Sequence, residues 1–116
     1  MDYPLEVSVN HLAQRLKTDD QFVVLDVRET WELKRAALQD RRLQVRPLSR
    51  LAQEGVAGLP EAARSPETEI YVLCHHGARS ADVTAWLLAQ GWMRTFSVAG
   101  GIDAYARAID SSVGTY

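Results

Sequence analysis

Two short, unbroken apolar runs constrain this chain more than any other feature. Phe22-Val23-Val24-Leu25-Asp26-Val27 and Glu69-Ile70-Tyr71-Val72-Leu73 are rich in β-branched and aromatic residues and lack the polar alternation of a half-exposed strand. A strand that is apolar on both faces has to be covered on both, which places it inside a largely parallel sheet flanked by helices. The remaining elements fit that frame. Leu5-Glu6-Val7 reads as a short edge strand, and Ser8 as the cap of a helix over Val9 to Lys17 with Leu12, Ala13 and Leu16 facing inward. Thr30 is expected to cap a helix from Trp31 to Leu38. Leu43-Gln44-Val45 reads as another short strand, Ser49 to Gln53 as a short helix, and Gly55 to Pro66 as a loop with a further turn. A long amphipathic helix opens at Arg79 or Ser80, carries Val83, Trp86, Leu87 and Leu88 on its apolar stripe, and stops at Gly91. Thr95-Phe96-Ser97-Val98 makes a third clear strand, and Gly100-Gly101 turns into a last helix over Ile102 to Ile109. The segment from Asp110 to Tyr116 has little helix signal.

Alternation of strands and helices with short links implies an α/β layered domain. With 116 residues the expectation is one domain over positions 1–116. In such sheets, ligands bind beyond the carboxyl ends of the strands, where Asp26, Arg28, Cys74 and Gly100 fall. Composition excludes several classes. A net charge of −2 offers nothing to a nucleic-acid backbone, and no run approaches the ~18 apolar residues of a membrane span. The opening Met1-Asp2-Tyr3-Pro4 lacks the basic flank and apolar core of a signal peptide, so a cytoplasmic location is expected. The chain has one cysteine, which rules out an internal disulfide or a Cys-x-x-Cys redox pair. Cys74 and three histidines barely supply the ligands of a zinc site, so no metal and no cofactor are expected.

The chemistry therefore concentrates on Cys74-His75-His76-Gly77-Ala78-Arg79-Ser80. A tight loop from strand to helix turns successive backbone N–H groups inward, making a nest for negative charge, and the following helix adds its positive dipole end. A sulfur at the rim of that nest is stabilised as the thiolate. Gly77 permits a backbone conformation that a β-carbon opposes, and the forked donors of Arg79 suit an oxyanion. The loop favours a nucleophilic sulfur and an anionic substrate.

The segment Cys74 to Ser80 resembles the active-site loop of the rhodanese family. Asp26-Val27-Arg28-Glu29 resembles the family's motif at the end of an inner strand, and Val98-Ala99-Gly100-Gly101-Ile102-Asp103-Ala104-Tyr105 resembles its glycine-pair turn and final helix. The motifs occur in the family's order and span essentially the whole chain. The resemblance implies a three-layer α/β/α sandwich around a five-stranded, mostly parallel sheet. It also implies a sulfurtransferase that carries sulfane sulfur as a persulfide on Cys74, from a small anionic donor such as thiosulfate to an acceptor that is cyanide, a thiol or a protein. Within the loop, His75, His76, Gly77, Ala78, Arg79 and Ser80 are the candidate substrate-binding residues, with Asp26 and Arg28 as a supporting ion pair. One departure stands out: Lys34 to Pro47 lacks the glycines and histidine of the family's Gly-His-Ile-Pro-Gly-Ala-like segment, so a different local path is expected there.

Other readings compete at particular residues. His75 and His76 invite a Cys-His couple, but neighbouring loop residues tend to point apart, which favours rim positions that tune substrate entry. His11 reads as a helix residue. Lys34, Arg35, Arg41, Arg42, Arg46 and Arg50 read as a solvated basic face or a docking surface for an acidic partner, and Trp31, Trp86 and Trp92 as core or core-rim aromatics. A cysteine-dependent phosphatase would share the Cys-to-Arg loop, but phosphatases typically place one more residue between the two than the four that separate Cys74 from Arg79. The shorter loop suits a single sulfur atom. An interaction module or a persulfide carrier serving one protein partner is the remaining alternative.

Overall fold

The computed structural model describes residues 5–116; Met1 to Pro4, read above for leader character, lie outside the described residues. Five strands, β1 (Glu6–Val7), β2 (Val23–Asp26), β3 (Leu43–Val45), β4 (Ile70–Leu73) and β5 (Thr95–Val98), form one sheet in the order β1-β5-β4-β2-β3. Every pairing is parallel. Five helices cover it: α1 (Val9–Leu16), α2 (Thr30–Leu33), α3 (Leu48–Glu54), α4 (Ala78–Ala89) and α5 (Gly101–Ala108). This is the expected α/β architecture, and β2 and β4 sit side by side at its centre.

Both central strands are buried along their whole length, which is why neither alternates. Their side chains feed two cores. On one face Val24, Tyr71, Leu73 and Val98 meet Leu12 of α1 with Ile102 and Tyr105 of α5. On the other, Val23, Leu25, Ile70 and Val72 meet Leu51 of α3 with Val83 and Leu87 of α4. Cys74 continues the alternation of β4 onto this second face. From β2 the chain steps outward to β3, then crosses back to β4 and moves the other way to β5. The reversal opens a crevice between the carboxyl ends of β2 and β4, the usual ligand position in an open parallel sheet.

Several expectations change in detail. The helix expected over Trp31 to Leu38 ends at Leu33. Ala36 and Leu38 leave it to enter the first core, and the Ala37 amide donates to the Val113 carbonyl at 2.9 Å. Its cap is Glu29 rather than Thr30, in a reciprocal capping box with Glu32. The Gly55 to Pro66 stretch folds into two single 3₁₀ turns, Gly55–Gly58 and Glu61–Ala63. Another 3₁₀ turn, Ser111–Val113, follows α5.

Arg42 does not belong to a solvated basic face. It is buried, with its guanidinium on Asp40, on the carbonyls of Leu16, Thr18 and Asp20, and over the Phe22 ring. Trp31, expected at the core rim, is exposed, whereas Trp92 is buried with its indole N–H on the Ala63 carbonyl. Among the described residues no helix is long and apolar enough to cross a membrane.

Candidate active site

The peptide leaves β4 at Leu73 and enters α4 at Ala78, so the loop between them is four residues long, Cys74 to Gly77. Gly77 makes the turn with φ of 109°, a left-handed value at which a β-carbon is strained. That conformation aims the Gly77 amide back at Cys74, donating to Sγ at 3.1 Å, and the Ser80 amide from the first turn of α4 donates at 3.3 Å. The Ser80 hydroxyl lies 3.4 Å from the same sulfur. Cys74 is 1% exposed, at the floor of the loop rather than on its surface. It packs on apolar neighbours from one side and meets converging amide hydrogens from the other, an arrangement that favours negative charge on sulfur.

The glycine pair after β5 holds the loop in place. The amides of Ile102 and Asp103, at the start of α5, donate to the carbonyls of Cys74 and His75 at 2.8 and 3.1 Å. With those carbonyls turned toward α5, the Gly77 amide at the end of the loop faces the sulfur. Gly101 makes the approach feasible: a methyl group there would drive into the Cys74 and His75 carbonyl oxygens.

Around the thiol stand two ion pairs. Asp26 and Arg28, both fully buried, pair through both guanidinium nitrogens available to the carboxylate, at 2.9 and 2.7 Å. The resemblance implied a supporting ion pair here, and the two side chains form one, fully enclosed at the end of β2. Arg79 is held in a fork by Glu32 at 2.7 and 2.8 Å, and Glu32 had no place in the sequence reading. The Arg79 bonds are the largest cause holding the Glu32 carboxyl down to about 2, against the opposing pull of burial. Those same bonds raise Arg79, with a smaller push from the nearby Cys74 sulfur. The arginine is therefore a fixed, largely compensated cation beside the thiol, not a free side chain awaiting an anion.

Tyr116 ties these groups together. Its hydroxyl donates to Glu32 at 2.8 Å and accepts from Arg28 at 3.2 Å, and its ring lies parallel to His75 with centroids 3.7 Å apart. No periodicity or motif in the last residues announces this contact. His75 and His76 do not point apart as expected; their rings stack at 3.8 Å. Burial, then the charge of His76, lowers the His75 pKa, so His75 is neutral near pH 7, while the His76 side chain is 65% exposed. Metal-ligand atoms of His75, His76 and Asp103 lie within 4.8 Å of one another. The imidazole planes are inclined by only 26°, so they stack rather than converge on a common ion. Ala78 opens α4 and contributes backbone to the loop. His11 lies on α1, its ring 6.0 Å from that of Tyr71.

Comparison with known proteins decides the kinship. Residues 8–108 match the Rhodanese-like domain family. The chain belongs to the rhodanese-like domain family. It is 34% identical over 115 residues to the "Rhodanese-like/PpiC domain-containing protein 12, chloroplastic" of Arabidopsis thaliana, covering 96% of this chain but only 37% of that protein. It is 29% identical over 102 residues to a "Sulfurtransferase" of Allochromatium vinosum, covering 88% of each. Among solved structures, human single-domain sulfurtransferase TSTD1 superposes with a TM-score of 0.71 at 21% identity, covering 89% of this chain and 96% of that one. At that identity the likeness speaks for the rhodanese fold alone. The glycine-pair helix and the Cys74 loop, matched here to a rhodanese-like domain, are the two segments that clasp each other through the Ile102 and Asp103 amides.

Proposed function

We propose that this rhodanese domain moves sulfane sulfur through a persulfide on Cys74, with thiosulfate as a competent donor. In the first step the Cys74 thiolate attacks the outer sulfur of thiosulfate. The new bond is Cys74 Sγ–S, the S–S bond of the donor breaks, and its electron pair leaves with sulfite. In the second step a nucleophilic acceptor takes the outer sulfur and returns the thiolate. The observation that carries this reading is the pair of amides, Gly77 and Ser80, trained on Sγ at 3.1 and 3.3 Å. Donors fixed by the backbone stabilise an anionic sulfur without reorganising during the reaction.

Substrate contact falls to the loop from His75 to Ser80. Gly77, Ala78 and Ser80 supply backbone polarity, and the stacked His75 and His76 form the rim. Arg79 lends positive charge, but Glu32 already takes its forked donors, so the amides do most of the anion holding. Asp26 and Arg28 support from below. The chain has one cysteine and so no internal thiol to resolve the persulfide; turnover uses an external acceptor, which is cyanide in an assay and a small or protein thiol in a cell. A protein acceptor is favoured by one feature: Trp31 is 60% exposed and meets Tyr116 edge to face, at the border of the site.

Thiosulfate:cyanide sulfur transfer, run beside hydrolysis of a phosphate ester, tests the assignment. We expect thiocyanate to form and the ester to survive. Ester hydrolysis without thiocyanate would move the protein to the phosphatase chemistry of related loops.

A further inference from the structure

Beneath Cys74 lie two hydroxyls that the reaction above leaves unused. Ser80 in the first turn of α4 and Ser97 in β5 are both fully buried, with their Oγ atoms 2.8 Å apart. Ser80 Oγ is also 3.1 Å from the Gly77 carbonyl and 3.4 Å from Cys74 Sγ. Ser97, by contrast, makes its side-chain hydrogen bond to Ser80 and to no other group among the described residues.

That asymmetry fixes a direction. Were Ser80 to donate to Ser97, the Ser97 proton would be left buried and unpaired, which is costly. With Ser97 donating to Ser80, both hydroxyls are satisfied and the Ser80 proton is free to choose between two acceptors. When Cys74 carries its proton, S–H points at Ser80 Oγ and Ser80 donates to the Gly77 carbonyl. When the sulfur is ionised, the Ser80 O–H rotates onto it and adds a third donor to the two amides. No proton changes owner in that rotation; the thiol proton leaves to solvent.

We infer that Ser97 is a positioning residue for the reactive sulfur, acting through Ser80 to keep a hydroxyl donor ready for the charged form of Cys74. The inference rests on the reading of Cys74 as a thiolate nucleophile. Ser97 never touches the sulfur. Its contribution is to hold the Ser80 lone pair and, by polarising that hydroxyl, to strengthen the bond that Ser80 makes.

The test is a titration of the Cys74 thiolate by its ultraviolet absorbance, with Cys74→Ser as the blank. Ser80→Ala removes a bond to a charged acceptor and is expected to lower the thiolate-to-thiol ratio at fixed pH about tenfold or more. Ser97→Ala removes only the polarising neighbour and is expected to lower it roughly threefold, displacing the titration to higher pH. Because Ser97 acts through Ser80, adding Ser97→Ala to Ser80→Ala should change nothing further. Ser97→Thr, which keeps the hydroxyl, should restore the wild-type profile if it folds; Ser97→Cys, of similar size with a weak donor, should resemble Ser97→Ala. An unmoved titration in Ser97→Ala, or equal effects of Ser97→Ala with and without Ser80, would overturn the inference. A displaced titration in a protein that transfers no sulfur would sink the proposed reaction and leave this one standing.

Discussion

Glu32→Gln probes the electrostatic frame of the site most sharply. The Glu32 side chain is 4% exposed and accepts four bonds, two from Arg79, one from the Tyr116 hydroxyl and one from the Glu29 amide. Lowering its pKa from 4.5 to about 2 corresponds to about 3 kcal/mol of folding stability at neutral pH. The Arg79 side chain is 32% exposed, so water shields part of the pair and about 2 kcal/mol is the better expectation. The sign follows from the direction of the shift. A carboxyl that is more acidic folded than unfolded stabilises fully above about pH 4.5, and the contribution drains away as the pH falls toward about 2.

Glutamine keeps an acceptor for the Glu29 amide but loses the charge and turns an NH₂ toward Arg79. Urea unfolding followed by tryptophan fluorescence should place the variant about 2 kcal/mol below wild type at pH 7, with the gap shrinking to under half by about pH 3. A gap that is the same at both pH values, or absent at pH 7, would show that the pair is not what stabilises this edge of the site.

Three further outcomes follow from the same geometry. Cys74→Ser should lose sulfur transfer while keeping the wild-type unfolding midpoint within about 1 kcal/mol, since serine accepts the same two amides; residual transfer at the wild-type rate would remove Cys74 from the chemistry. Gly101→Ala should cost more than about 3 kcal/mol, because its methyl meets the carbonyls of Cys74 and His75 at φ of 62°; unfolding curves that overlay wild type would show that this clasp is slack. Arg79→Ala strands the buried Glu32 carboxylate and should destabilise by about 3 kcal/mol. In a Glu32→Gln background that cost should fall, and a raised KM for thiosulfate there would isolate the contribution of Arg79 to the donor. An unchanged KM would confine Arg79 to scaffolding.

The fold was legible where burial is written in residue type. The runs containing β2 and β4 declare themselves because strands covered on both faces cannot hide polar residues, and β5 was read to the residue. The nest at Cys74 was legible because its chemistry needs a glycine, a helix start and a thiol in sequence. The missed parts depend on long-range contacts. Glu32 reaches Arg79 across 47 positions and Tyr116 reaches Arg28 across 88, and no local pattern encodes such pairs. Local signals existed for two others. Glu29 and Glu32 stand at capping-box spacing, a clue to where α2 begins. Ser97, a hydroxyl near the end of a β-rich strand, marked a buried polar position beside the loop. Helix α2 is shorter than its apolar pattern predicts because Ala36 and Leu38 belong to an irregular segment entering the core, which periodicity alone cannot tell from a helix.

The central claim is that Cys74 holds a second sulfur atom within its amide nest. Mass measurement of the intact protein after exposure to thiosulfate and removal of excess donor tests it directly. The account predicts one added sulfur atom, located on the peptide containing Cys74, discharged by cyanide and missing in Cys74→Ser. An unmodified mass under conditions where sulfite is released, or an adduct that cyanide leaves in place, would contradict it.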